Sequence, residues 1–315
     1  MFTRFHRECV KTASGFSYHG LVHRAGALFE EKDFIDGENA IVDFKYSASP
    51  KVTWWFDHHQ SAFLTSEDQK NFERGQADGS QVMRKFFDPN YVSCTSFIAH
   101  VGKTKFGFDV EPLAELIKWA DIVDGAKYES AKAAVEMGAP AMKLTMVIES
   151  ASDDTLVQRI IPLLTEMSLQ SVLDQGFVQE LLGPLMERHW EGLELIKSRA
   201  KVDKGVITFD ITDLPTEGYS KFIPYYLFPE GTYNVGLSKS SFRTKVAVGT
   251  NPWTPLPADK LVNLAAICER YGGGGHARVG AISFPPDRED EARKAAGEIA
   301  QELKSGQQVS ELAKT

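Results

Sequence analysis

Two short apolar runs early in the chain each end on an acid. Asn39 to Asp43 (Asn-Ala-Ile-Val-Asp) and Lys51 to Asp57 (Lys-Val-Thr-Trp-Trp-Phe-Asp) are bounded by Gly37 on one side and separated by Ser47 to Pro50. The pattern predicts two buried strands, each with a polar residue at its carboxyl end. Tyr91 to Val101 and Pro112 to Ala120 space their apolar residues as helices do, so strands and helices alternate. That alternation favours a parallel, wound α/β sheet. From Asp153 to Ala200 long apolar-periodic segments predict a mainly helical stretch. Strands are expected again at Val206 to Ile211, Thr232 to Leu237 and Lys245 to Gly249. A helix from Leu261 to Tyr271, a glycine run and a strand from Val279 to Phe284 follow. This second stretch reads as a smaller α+β domain with a mixed sheet. The expected layout is a first domain over 1–182, a linker helix over 183–202 and a second domain over 203–315. Beyond Lys304 the polar tail is expected to fray.

Length supports that division, because 315 residues correspond to about two domains. Hydrophobic residues at 43% and charged residues at 25% describe an ordinary folded chain, which excludes a disordered or fibrous class. The formal net charge of -8 provides no broad positive field, so long duplex DNA is not an expected partner. Cys9, Cys94 and Cys268 are an odd number with no Cys-x-x-Cys pair, which fits a reducing compartment and no structural zinc site. No run reaches the roughly 18 apolar residues of a membrane span and the amino-terminal residues lack a signal-type apolar core. A cytoplasmic protein without a membrane partner is the expectation.

The chemistry concentrates at strand ends. Asp57-His58-His59 directly follows Trp54-Trp55-Phe56, where a parallel sheet delivers side chains to its ligand crevice. If the two strands are neighbours, Asp43 and His58 share one coordination sphere, and carboxylate oxygen with imidazole nitrogen suits manganese, iron or zinc. Trp119-Ala120-Asp121-Ile122-Val123-Asp124-Gly125 offers a further carboxylate at a helix exit. Such a set fits two-cation phosphoryl transfer, in which the metals acidify a bound water and neutralise the phosphate oxygens. Taken singly, each acid or histidine is more often a turn or cap residue. The second feature is Gly272-Gly273-Gly274-Gly275-His276 between a helix and a strand. One glycine suffices for a helix cap, whereas four allow backbone N–H groups to approach an anion.

Together these residues resemble the DHH phosphoesterases that carry a DHHA1 carboxyl-terminal domain. Asp57-His58-His59 is similar to the motif that names the family, Asp43 to the aspartate motif before it, Trp119-Ala120-Asp121 to the one after it, and Gly272 to His276 to the DHHA1 signature. The resemblance spans nearly the whole chain. It implies a parallel α/β domain carrying two manganese ions and a DHHA1 domain that binds substrate, with the site in the cleft between them. Relatives include nanoRNases, 3'-phosphoadenosine 5'-phosphate phosphatases, cyclic-dinucleotide phosphodiesterases, RecJ-type exonucleases and exopolyphosphatase-related proteins. Carried over by resemblance, Asp43, His58 and Asp121 are metal ligands and Asp57 orients the histidine pair. His59 contacts the scissile phosphate or assists the leaving group. Arg243, Gly272, Gly273, Gly274, Gly275 and His276 contact substrate.

One departure stands out. The family opens with a histidine and an Asp-x-Asp pair, and the best local counterpart, Phe16-Ser17-Tyr18-His19-Gly20, puts Ser17 and His19 there. His19 remains a candidate ligand for a softer ion, and one of the two manganese positions is weakened. His19 and His23 also read as solvent-facing residues of a starting helix over Leu21 to Phe29. The expected function is a manganese-dependent phosphoesterase acting on a small nucleotide, a short oligonucleotide or a related phosphate ester. The alternative is a degenerate relative that binds nucleotide or phosphate without turnover. A homodimer is left open.

Overall fold

The computed structural model describes residues 1–13, 15–21, 28–30, 33–78, 84–151, 153–214 and 218–312. The chain divides into two units, one made of Met1–Tyr128 and Ala139–Leu181, the other of Glu129–Gly138 and Leu182–Thr315. His23 and most of the helix expected over Leu21 to Phe29 lie outside the described residues.

The first unit starts with helix α1 (Phe2–Phe5), which continues in a π-turn over His6–Val10. Strands β1 (Asn39–Val42) and β2 (Val52–Asp57), helix α2 (Ser66–Asp78) and strand β3 (Lys85–Phe87) follow. Among the described residues the sheet runs β1-β2-β3, all parallel, with Val42 opposite Phe56 and Asp57 opposite Phe87. Helices α3 (Cys94–Phe106) and α4 (Ala114–Asp124) come next, the latter preceded by a 3-10 turn at Glu111–Leu113.

The near-continuous apolar run of β2 is that of a strand covered on both faces. Trp54 and Phe56 point to one side, where they pack with Phe5, Phe97, Ile98 and Phe108. Trp55 points to the other, against Tyr46, Phe63, Phe72 and Phe87. Trp54 meets the Phe5 ring edge-on at 5.8 Å and Trp55 meets Tyr46 at 4.9 Å. Each such pair contributes about 0.5–1.5 kcal/mol beyond the area it buries. Lys85, unusual inside a strand, is buried over the Tyr46 ring with its Nζ 3.4 Å from the Ser47 carbonyl. Burial pushes its pKa down.

Helix α5 (Ala131–Glu136) belongs to the second unit. Helices α6 (Pro140–Glu149), α7 (Asp154–Glu166) and α8 (Leu169–Leu173) return to the first. Helix α9 (Gly176–Arg199) crosses the division at Leu181 and Leu182.

The second unit continues with β4 (Lys201–Asp203), β5 (Val206–Asp210), helix α10 (Ile223–Leu227), β6 (Tyr233–Lys239) and β7 (Thr244–Thr250). Helix α11 (Leu264–Glu269), β8 (Gly274–His276), β9 (Val279–Phe284) and helix α12 (Glu289–Leu312) complete it. The six-stranded sheet has the order β4-β5-β6-β7-β9-β8. It is mixed, since β5 and β6 are parallel and the other pairs antiparallel. Val235, Leu237, Val246 and Val248 form a core with Leu264 and Ile267 of α11 and Ile299 and Leu303 of α12. In place of the frayed tail expected beyond Lys304, α12 continues to Leu312, with Leu303 and the alanines before it anchoring one face.

Candidate metal and phosphate site

Parallel pairing of β1 with β2 brings Asp43 and the Asp57-His58-His59 turn to the same sheet edge. Asp43 lies just past β1. Its N–H still donates to the Phe56 carbonyl at 2.9 Å, but its φ is 61°. A left-handed residue other than glycine costs about 1 kcal/mol, and aspartate tolerates it better than most. The twist turns the carboxylate toward His58.

Asp57 is wholly buried. Its Oδ1 accepts the His58 N–H at 2.8 Å, the His59 N–H at 3.2 Å and His59 Nδ1 at 2.7 Å. It therefore fixes both the turn and the His59 ring. Its Oδ2 is buried without a partner among the described residues. His58 Nδ1 lies 3.0 Å from the Tyr91 carbonyl, which places the ring proton there and leaves the lone pair on Nε2. That Nε2 is buried with no hydrogen-bond donor, and stands 3.2 Å from Asp43 Oδ1 and 3.3 Å from Asp124 Oδ2. Such a nitrogen facing two carboxylate oxygens is repulsive unless a proton or a metal cation lies between them. Asp43, His58 and His59 each present one donor atom within 4.8 Å of the others. The residues thus fit a divalent ion, the mixed oxygen and nitrogen set being one that suits manganese, iron or zinc.

The acid beside His58 is Asp124. Asp121, expected from the sequence to be the third ligand, accepts the Ser93 hydroxyl at 2.6 Å, and Ser93 also caps α3. Asp121 and Asp124 are three residues apart on α4, so spacing alone could not decide between them. Burial raises the Asp124 pKa, and repulsion from Asp43 adds to this, against a smaller lowering by His58 and His59. Cys94, the first residue of α3, donates its thiol to the Phe56 carbonyl at 3.4 Å. Burial and then the Asp43 charge push its pKa well up. It is an un-ionised packing residue.

His19 lines the same cavity as Asp43 and Asp124 but is not among the residues whose donor atoms converge within 4.8 Å. Its Nδ1 is 2.9 Å from Asp154 Oδ2, and the Gly20 N–H donates to the other oxygen at 2.7 Å.

In the second unit the glycine run is largely accounted for by packing. Gly272 at φ +74° caps α11. A Cβ on Gly273 would strike the Ala281 carbonyl, and one on Gly275, at φ +151°, the Val279 carbonyl. Gly274 has open space, and His276 is exposed opposite Val279 on the edge strand. Arg243 lies over the Phe242 ring and donates to Ser283 Oγ at 3.1 Å. No carboxylate pairs with it among the described residues. Burial, with help from Arg243, lowers the pKa of nearby Lys245. Val279 and Ser283 are about 13 Å apart along β9, so His276 and Arg243 mark opposite ends of one strand.

No family model matches the chain, and neither does any curated protein. Solved structures do. A pGpG-specific phosphodiesterase from Vibrio cholerae superposes with a TM-score of 0.62 at 18% identity, covering 85% of this chain and 84% of the other. An exopolyphosphatase-related protein from Bacteroides fragilis covers 86% of this chain and 73% of its own at 15% identity and a TM-score of 0.41. The DHH domain of a protein described as belonging to a family of ribosomal proteins covers 76% and 67% at 15% identity and 0.44. The first of these establishes the fold correspondence. The architecture, a parallel α/β sheet unit and a mixed-sheet α+β unit, is the fold class that the sequence pattern predicted. Among the described residues no helix is long and apolar enough to cross a membrane.

Proposed function

We propose that the protein is a manganese-dependent phosphoesterase acting on phosphate esters of small nucleotides or short oligonucleotides. The observation that carries this reading is the buried His58 Nε2 facing the Asp43 and Asp124 carboxylates with no hydrogen-bond partner. When bound, manganese supplies positive charge to a phosphate oxygen and lowers the pKa of a coordinated water. Asp43, His58 and Asp124 would hold it. Tyr91 fixes the tautomer that makes His58 a ligand. Asp57 aims His59, whose half-exposed ring leaves Nε2 available to contact the phosphate or pass a proton to the leaving oxygen. In the second unit, Arg243 suits a phosphate fork and Gly274 with His276 offers a second polar contact farther along β9, an arrangement favouring a ligand with separated groups over a single phosphate. The Vibrio phosphodiesterase, whose substrate is the dinucleotide pGpG, supports that substrate class.

The test is elemental analysis of the purified chain together with hydrolysis of short RNA, phosphorylated nucleotides, linear and cyclic dinucleotides and polyphosphate. Manganese-dependent release is expected to fall at least about 100-fold in His58→Ala and in Asp124→Ala. A metal-loaded protein inert on every substrate would end the proposal. A second reading, nucleotide binding without turnover, is favoured by the pairing of His19 with Asp154. It predicts nucleotide binding in calorimetry with no product.

A further inference from the structure

The turn between β6 and β7 carries chemistry that its fold does not need. Lys239 and Thr244 close the ladder and the Ser240 N–H donates to the Arg243 carbonyl at 2.9 Å, so Ser241 and Phe242 form a two-residue tip. Such tips select small or polar residues that turn easily. Phe242 is instead a full aromatic ring at 66% exposure, the most exposed large apolar side chain among the described residues. It adds nothing to the core under the sheet, which Val246 and Val248 supply from this strand.

Two cations stand beside the ring. The Arg243 guanidinium lies over it, 5.1 Å from the centroid, and reaches Ser283 Oγ at 3.1 Å. Lys245 pairs with the same Ser283 across the β7–β9 ladder, and alternation along the strand puts it on the sheet face away from Val246. Arg243, two residues earlier and bonded to Ser283, shares that face. Neither cation has a carboxylate partner among the described residues, whereas nearby Lys239 is 2.8 Å from Glu289. Burial and then repulsion from Arg243 lower the Lys245 pKa, and no acid offsets the push. In a chain of net charge -8, two uncompensated cations on one face draw an anion to that place.

We propose that Phe242 stacks the base of a nucleotide whose phosphate is drawn to Arg243 and Lys245, which makes this ring a specificity-determining residue. The inference deepens the phosphoesterase reading and rests on it for the reaction, not for the binding. Every nucleobase has a flat face, so an exposed ring beside a positive charge holds one whatever its identity, and the guanidinium adds a cation–π contact. Among phosphate compounds this favours nucleotide esters over polyphosphate, which carries the charge but no ring. Phe242 touches no reacting bond.

The experiment compares adenosine 5'-monophosphate with ribose 5-phosphate, which has the same phosphate and sugar but no base. The full chain at pH 7 and low salt, in EDTA, is titrated with each by calorimetry and ligand-observed NMR. The nucleotide is expected to bind about tenfold more tightly than the sugar phosphate. In Phe242→Ala the preference should shrink to about twofold or less, and in Phe242→Trp it should be retained. Lys245→Met should weaken both ligands by a similar factor and leave the preference in place. The fluorescence of 2-aminopurine riboside 5'-monophosphate should be quenched on binding to the native protein and not on binding to Phe242→Ala. Equal affinity for the two ligands, no binding of either, or a preference that survives in folded Phe242→Ala overturns the proposal. Loss of self-association in Phe242→Ala with the preference intact would assign the ring to a contact between copies and overturn it equally. Because no metal is present and nothing is hydrolysed, base preference without turnover would count only against the catalytic reading, and turnover without base preference only against Phe242.

Discussion

A histidine ring has two nitrogens, and what holds one decides what the other can do. The Tyr91 carbonyl accepts from His58 Nδ1 and leaves Nε2 to face the acids, the Asp57 carboxylate holds His59 by Nδ1, and the Glu38 carboxylate holds His6 by Nε2. Asp57→Asn keeps an acceptor but removes the charge that aims His59. It is expected to lower kcat about 10-fold while leaving manganese content unchanged, as measured by elemental analysis beside steady-state rates. Asp124 has the opposite logic. A carboxylate whose folded pKa is raised binds its proton more tightly than in the unfolded chain, so ionising it subtracts stability once pH rises above the ordinary aspartate range. Asp124→Asn should therefore raise the melting temperature of metal-free protein at pH 7, by an amount worth less than ~1 kcal/mol because water screens the half-exposed group. The gain should vanish below about pH 4, and added manganese should stabilise the native protein but not the variant. Thermal melts across pH with and without manganese check both. The Asp57-His58-His59 turn was legible in the sequence because its neighbours along the chain are its neighbours in space. Which of Asp121 and Asp124 lies beside His58 was not, because Asp121 is held by Ser93, 28 residues away.

Elements were legible where an apolar period could run its length. The β1 and β2 pattern, the helices after them and the β9 strand follow the expected positions. Strands β3 and β8 did not announce themselves: one is three residues long and contains a lysine, the other is written in glycine and histidine. Position in the β8–β9 hairpin gives each glycine a different tolerance. Gly275→Ala combines a disfavoured φ with a collision against the Val279 carbonyl and should cost about 2 kcal/mol or more. Gly274→Ala, with open space around it, should change stability by no more than about 0.5 kcal/mol, so any loss of substrate affinity there reports on binding. Chemical denaturation of the pair separates the two effects. At the start of α12, Arg293 is 2.9 Å from Asp210, which also accepts the Thr212 hydroxyl and N–H. Burial alone would raise the Asp210 pKa, but these contacts hold it below its usual value. Its stabilisation is thus present at pH values above the ordinary aspartate range and is lost as pH falls through the lowered folded value. Asp210→Asn should cost less than ~1 kcal/mol at pH 7, given the exposure of the pair, and nothing near pH 2. Urea denaturation at the two pH values tests this.

On the scale of the whole molecule, the second unit is discontinuous. Residues Glu129–Gly138 belong to it although they sit between two stretches of the first. Helix α5 packs on α10, the Val135 carbonyl lies 2.8 Å from His189 Nε2, and the Tyr226 hydroxyl donates to Glu136 at 3.0 Å. Residues 182–315 produced alone would leave His189 and the apolar side of α10 without these partners, and should melt at a lower temperature than the same unit in the full chain, as hydrogen exchange of its sheet would reveal. The division read from the sequence, a simple succession of domains, carried no sign of this exchange, since α5 is a single short turn of helix with ordinary composition.

The excursion has a consequence for synthesis. Glu136 leaves the ribosome 90 residues before Tyr226, so at roughly 5 to 20 residues per second the small helix waits several seconds or more for the residue that holds it. During that interval Ala134 and Val135, fully covered in the finished protein, are open to water and to any chaperone that reads short apolar segments. Nascent chains paused between these two points would be the ones most prone to associate wrongly.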